Sequence, residues 1–361
     1  MNPNVNTKHN THNKKTQQLI ITLLLITTLL LTTTIIIYKL TTNNTDLTFV
    51  DEPISLEDAV YVKSESELKT TINNALPNTS IVIALDNDVV LSEELVIPSE
   101  KNITLTSSSN SDFYKLIGAY NKNTTLVEDG GRLRIAGIII THSEGDRGRG
   151  VFVEPLGTLI LSYGKISDNT YPHWTGVVNV GTFIMFGGEV SNNNATGSDI
   201  TSPGGSRGGS CGGVYNCGTF IMLGGKIKNN VANGNGGGVS NLGTFTMLGG
   251  EISNNLSTDN GGGIHNRILL SGDTWTNGTF IMKGGAIANN TAENGGGVYS
   301  LGTVIMTGGK INDNKAWSAG GGVYSRNHNS NVFKGTISNN NAKSDKNLIV
   351  VDEKGNTIIT K

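Results

Sequence analysis

Between Thr141 and Gly150 the chain reads "THSEGDRGRG", gathering His142, Glu144, Asp146, Arg147 and Arg149 into one short stretch. Carboxylates beside an imidazole and guanidinium groups are the components of general acid–base catalysis and of charged-ligand binding. A solvated charged loop uses the same residue types, and it is the plainer reading. A second set is aromatic. His265, Tyr299 and Tyr324 recur at one position of a repeated phrase, with Trp275 and Trp317 nearby in sequence. If these rings are exposed they offer apolar area with a polar rim, the chemistry that suits sugar faces.

Two cysteines, Cys211 and Cys217, are too far apart as extended chain to form a disulfide without a turn between them. Cys217 shares its repeat position with Val180, Leu242 and Leu301, which predicts a buried thiol. Glycosylation triplets begin at Asn43, Asn78, Asn102, Asn123, Asn194, Asn255, Asn277 and Asn289. They fit an exported protein, but they are frequent by chance in Asn- and Thr-rich sequence. A glycan at a stacked Asn would also break the stacking expected below for Asn255 and Asn289.

The elements that must position these residues come from an internal repeat. Gly-Thr followed by an apolar run begins at Gly157, Gly181, Gly218, Gly243, Gly278 and Gly302, with spacings of 24, 37, 25, 35 and 24. The base period is 24 to 25 residues, and the two long intervals hold loop insertions, at Gly197 to Gly209 and Arg267 to Asn277. Each unit has three apolar segments punctuated by Gly and Asn, all too short for helices, so they read as strands. One unit cannot bury its own apolar face and must stack on its neighbours. The fold class is therefore all-β, a right-handed single-stranded parallel β-helix with three strands per rung, the hand following from the crossover rule.

Stacking turns repeat positions into ladders. Leu159, Phe183, Phe220, Phe245, Phe280 and Val304 form one, and Leu161, Met185, Met222, Met247, Met282 and Met306 another. Alternation puts both on one face of the strand, the core. Val214, Val239, Ile264, Val298 and Val323 face inward too, which turns Tyr215, Ser240, His265, Tyr299 and Tyr324 outward. Lys165, Glu189, Lys226 and Glu251 alternate in sign on successive rungs, so opposite charges become neighbours. The second residue of each corner is always Asn: Asn169, Asn193, Asn230, Asn255, Asn290, Asn314 and Asn340. Asn accepts the left-handed backbone of a sharp corner and its amide can bond to the Asn above and below, so this column is a structural ladder. The Gly triplets mark further corners. They lack the Asp of a calcium-binding nonapeptide, so no metal or cofactor is expected.

Outside the repeats, residues 19–38 carry no charge and are long enough as a helix to span a bilayer. Lys8, Lys14 and Lys15 precede the stretch, while Asp46, Asp51 and Glu52 follow, which predicts a signal anchor with a cytoplasmic N-terminus and the rest extracellular. The alternative is secretion after cleavage of that segment. The organisation expected is a cytoplasmic tail over 1–18, the transmembrane anchor over 19–38, a linker over 39–57, and a capping segment over 58–79. The β-helix follows over 80–351, regular over 157–341, with a tail over 352–361. In the capping segment, Ser64 and Glu67 make a capping box ahead of Leu68, Ile72 and Leu76 at helical spacing. A net charge of −2 with scattered Lys and Arg excludes a nucleic-acid partner.

The phrase "IxNNxA…GGGV" resembles the glycine-rich repeats of right-handed β-helix, pectin lyase-like, surface proteins of bacteria and archaea. It is more distantly similar to the repeats of chlamydial polymorphic membrane proteins. Residues 67–107 resemble the opening of the same proteins. The resemblance implies an adhesin-like protein binding glycans or neighbouring cell surfaces; its superfamily also holds polysaccharide lyases and glycosidases. No Asn-Thr-Asp, Asp-Asp or Gly-His-Gly stretch of those enzymes is present, so binding is favoured over catalysis, with a structural spacer as a further alternative. The membrane and a glycan or cell-surface ligand are the partners expected.

Overall fold

The computed structural model describes residues 51–109, 113–197, 211–271, 274–326, 331–351 and 357–360. They form a right-handed parallel β-solenoid of about 11 turns. A regular rung contains Thr219–Met222, Lys226–Lys228, Val231–Ala232 and Val239–Asn241, and the next rung repeats this order. The three expected segments are therefore joined by a fourth, two-residue strand just past the Asn corner. It is anchored by a small buried side chain, Ala195, Ala232, Ser257, Ala292 or Ala316. In the lower rungs the first two segments fuse into long strands, Arg132–Thr141 and Thr158–Ser167, which makes one 19-stranded sheet of what are two faces higher up. The "GGGV" segments make an 11-stranded sheet and the short strands a 6-stranded one.

Register is what the columns require: Phe183 pairs with Phe220, Phe220 with Phe245, and Met185 with Met222. Every member of the Phe and Met columns is fully buried, and the phenyl rings stack at 4.7, 4.5 and 5.1 Å between centroids. Those distances track the roughly 4.8 Å rise between rungs. The inward Val and Ile column meets them across a single core.

The corner shows a division of labour that differs from expectation. The left-handed backbone belongs to the first corner residue: Asp168, Asn192, Asn229, Asn254, Asn289, Asp313 and Asn339 have φ of 56 to 60°. The second, Asn169 through Asn340, is buried and builds the ladder. Asn230 donates both its backbone N–H and its Nδ2 to Asn255 Oδ1 at 3.0 Å, and Asn255 does the same to Asn290 at 2.9 Å. Each Nδ2 also donates to an apolar-strand carbonyl, Asn255 to that of Ile227. A second Asn ladder, not anticipated, links Asn179, Asn216, Asn241 and Asn266 and ends on Ser300. Asn289 is thus exposed and outside the ladder, whereas Asn255 and Asn102 are buried.

The charge ladder is also rearranged. Glu189 is 3.9 Å from Lys165 below it, but above it pairs with Lys228 at 2.8 Å and not with its register partner Lys226. The diagonal contact lies over a half-buried surface, while Lys226 stays in water.

Both ends are closed on part of their cross-section. Helix Glu65–Asn74 begins at Ser64, whose Oγ accepts from the Glu67 N–H at 3.3 Å, while Glu67 Oε2 accepts from the Lys63 N–H at 2.8 Å, one residue before the cap. Leu68 and Ile72 join the core. Leu76 does not: it lies past the helix and is 69% exposed, and Ala75 is buried in its place. Val60–Val62 precedes the helix as the lowest parallel strand. At the other end, residues 357–360, expected as tail, form an antiparallel strand against Leu348–Val351. The insertion from Arg267 to Asn277 contains an antiparallel hairpin, Ile268–Ser271 with Thr274–Asn277. Residues 19–38 lie outside the described residues; among those described, no helix is long and apolar enough to cross a membrane.

Candidate functional site

The charged stretch of residues 141–150 is a turn that stands out from the strand face. Ser143 C=O accepts from the Asp146 N–H at 3.0 Å, and Gly145, with φ +84° and open space around it, supplies the positive dihedral such a turn needs. The turn walls a surface cleft of about 820 Å³. The floor is the outer face of three stacked strands, with Ile117, Ile139 and Thr141, and Lys115 and Lys165 at its edge. Glu144 and Asp146 stand on the turn; Asp168, Asn192 and Asn194 come from the Asn corner on the rungs above it. An apolar floor under carboxylates, amines and amides suits a polyhydroxylated ligand, because each polar group can take or give a hydrogen bond to a hydroxyl while the ring lies on the isoleucines.

The five charged candidates do not act as one cluster. His142 is buried as the foot of the Asn ladder, one rung below Asn169. Its Nδ1 is 2.8 Å from Asn169 Oδ1, and since that oxygen can only accept, Nδ1 carries the proton. Glycines at 118 and 148 leave room for the imidazole, whose ring atoms a Cβ at either position would strike. Arg147 leaves the cleft: its Nε donates to the Tyr120 hydroxyl at 3.1 Å and its guanidinium lies 5.6 Å from that ring. Arg149 lies 3.9 Å over the Tyr171 ring and donates to the Trp174 carbonyl at 3.0 Å. Of the five, Glu144 and Asp146 line the cleft with the corner residues, and His142 contributes to its wall only as a buried ring. Sequence reading missed Lys115, Lys165, Asp168, Asn192 and Asn194 because they belong to different rungs, although the outward parity of Lys165 was legible.

The aromatic stripe is differently built from the one expected. Tyr215, Ser240, His265, Tyr299 and Tyr324 do lie in register on the outer face of the 11-stranded sheet. His265, however, is only 6% exposed, and burial, followed by the neighbouring Arg267 charge, pushes its pKa down to about 3. Tyr299 and Tyr324 stack on each other at 5.1 Å and 8°, and His265 lies 5.4 Å from Tyr299, so the facing sides of the rings are occupied. Tyr215 is covered by Trp174 at 4.3 Å. Trp317 is exposed, and Trp275 lies on the insertion hairpin. A sugar face therefore finds no continuous stacking platform here.

The cysteines exchange roles. Cys211 is fully buried beside Val178, Tyr215 and Leu242, and burial pushes its thiol up to about 12; Cys217 is exposed. The column shared with Cys217 lies at a strand entrance, where Val180 and Leu301 are only half-buried, so an apolar column did not mean an interior one.

Comparison of the chain with family models, with curated proteins and with solved structures finds no match.

Proposed function

We propose that this chain is a membrane-anchored, extracellular, adhesin-like surface protein that holds a glycan in the cleft beside the Ser143–Asp146 turn. The observation that carries the binding step is the composition of that cleft, an isoleucine floor rimmed by Glu144, Asp146, Asp168, Lys115 and Lys165. Elsewhere on the regular rungs the buried Asn columns are consumed by the two ladders, and the first corner residues stand exposed without such a walled cleft described around them. The anchor is the uncharged stretch 19–38 with lysines before it and acids after it. The repeat's resemblance to adhesin-like β-helix proteins agrees with display at a surface.

The same three carboxylates favour a second reading. A glycosidase needs two of them across a glycosidic bond, one to protonate the leaving oxygen and one to attack or to activate water. One experiment separates the two. The full chain is applied to a glycan array and, in parallel, incubated with a polysaccharide panel. Saturable binding without release of sugar ends supports the adhesin, new reducing or unsaturated ends support the enzyme, and neither signal refutes glycan recognition altogether.

A further inference from the structure

Residues 51–57, expected as free linker, are strapped to the flank of the solenoid. Asp51 Oδ1 accepts from Arg134 Nη2 at 2.6 Å and from the Ser162 hydroxyl at 2.7 Å. The same Nη2 donates to the Glu52 carbonyl at 2.5 Å, and Arg134 Nε donates to Ser162 Oγ at 2.8 Å. Arg134 is only 8% exposed. Its outward column otherwise reads Val82, Thr104, Ile160, Ile184, Ile221, Thr246, Ile281 and Ile305. An Arg in that series is explained by the one carboxylate it meets. Ile54 and Leu56 continue the strap past Phe113 and Tyr163, and the chain then descends to Val60–Val62, three strands below Arg134. Whatever precedes Asp51 thus leaves from the side of the solenoid, not from its end.

Above the strap no other segment among the described residues covers the same outer face. Ile221, Leu223, Leu248, Ile281 and Ile305 are half-buried there, interleaved with threonines. Lys283 is the single charged side chain on its outward positions between 182 and 307. We infer that this face rests on the headgroup region of the membrane, an inference that depends on the anchor reading above. Residues 39–50 are the only spacer between Tyr38 and Asp51, and they reach at most about 47 Å fully extended. Asp51 is pinned at the lower margin of the face, so the bilayer lies within that reach of it. The chemistry matches: aliphatic side chains enter the interface, threonine hydroxyls meet headgroup oxygens, Lys283 meets phosphate, and above the strap, whose Asp51 is paired with Arg134, the outward positions between 182 and 307 carry no carboxylate for anionic lipid to repel.

The test uses the full chain reconstituted in vesicles of phosphatidylcholine and phosphatidylglycerol with brominated acyl chains. Leu248→Trp reports the proposed face, and Thr258→Trp reports another exposed position of the same rung; unchanged melting of both variants confirms folding. Emission of the added tryptophan at 248 should be quenched at least two-fold more than that at 258. Adding Asp51→Ala should shrink the difference. Equal quenching in chains that resist a carbonate wash overturns the membrane-facing surface and leaves the anchor standing. Chains lost in the wash overturn the anchor, and the inference with it. Efficient disulfide dimerisation of Leu248→Cys would show that a second copy occupies the face and would also overturn the inference.

Discussion

Removing one side chain from the Asn ladder should cost far more than removing its neighbour at the same corner. Asn255 Oδ1 accepts from the Asn230 N–H and Nδ2, and its own Nδ2 donates to Ile227 C=O and Asn290 Oδ1. Asn255→Ala leaves the Asn230 N–H unpaired, takes the side-chain donor from the Ile227 carbonyl, which keeps its place in the strand ladder, strips one contact from each flanking amide, and does so where water does not reach. Unsatisfied buried groups cost roughly 1 to 3 kcal/mol each. One full orphan together with a weakened carbonyl and two weakened amides therefore predicts a loss of about 2 to 4 kcal/mol. Asn254, exposed with φ +56°, contributes only its tolerance of that dihedral. Asn254→Gly should change stability by less than about 0.5 kcal/mol, because glycine adopts the same conformation without strain. Urea titration followed by circular dichroism measures both, and hydrogen exchange at the Asn230 amide reads the local event if the solenoid unfolds in segments. Equal costs for the two variants, or an Asn230 amide still protected in Asn255→Ala, would refute the assignment of the ladder to the second residue.

Phe245→Ala, which opens a gap in the stack between Phe220 and Phe280, should cost roughly 3 to 5 kcal/mol in the same titration; an unchanged midpoint contradicts the inward column. Acid should destabilise the fold through His265. Its native pKa, about 3, lies below the unfolded value of about 6.5, so the unfolded chain binds the extra proton, and stability present above pH 6.5 falls away towards pH 3. His265→Gln should flatten that part of a melting temperature–pH profile, and an unaltered slope would assign the acid sensitivity to other groups. Iodoacetamide should modify the native chain at Cys217 and leave Cys211 untouched until denaturant is added, read by peptide mass spectrometry; early labelling of Cys211 would mean that the outer apolar cluster is open.

The repeat made most of the architecture legible, because a parallel solenoid converts sequence period directly into spatial neighbours. Phe, Met and Val columns fell inward as alternation requires. What escaped reading were interactions with no period. The Asp51 strap joins residues separated by 83 and 111 positions, and the cleft draws its lysines, acids and amides from separate rungs. Alternation also says which way a side chain points, not what then covers it: His265 points outward and is buried, Cys217 sits in an apolar column and is exposed. The two roles of the "NN" corner were invisible for another reason. In five of the seven corners both residues are Asn, and apart from Asp168 and Asp313 at the first position only backbone dihedrals tell the left-handed residue from the bonded one.

The central functional claim is tested by comparing two variants against the strongest glycan found on the array. Isothermal titration of Glu144→Gln/Asp146→Asn and of Tyr299→Ser/Tyr324→Ser, each checked for native melting, sets the cleft against the tyrosine ladder. The cleft account predicts at least a ten-fold weaker Kd for the first, equivalent to about 1.4 kcal/mol, and an unchanged Kd for the second. Full affinity in the cleft variant with affinity lost in the tyrosine variant would contradict it.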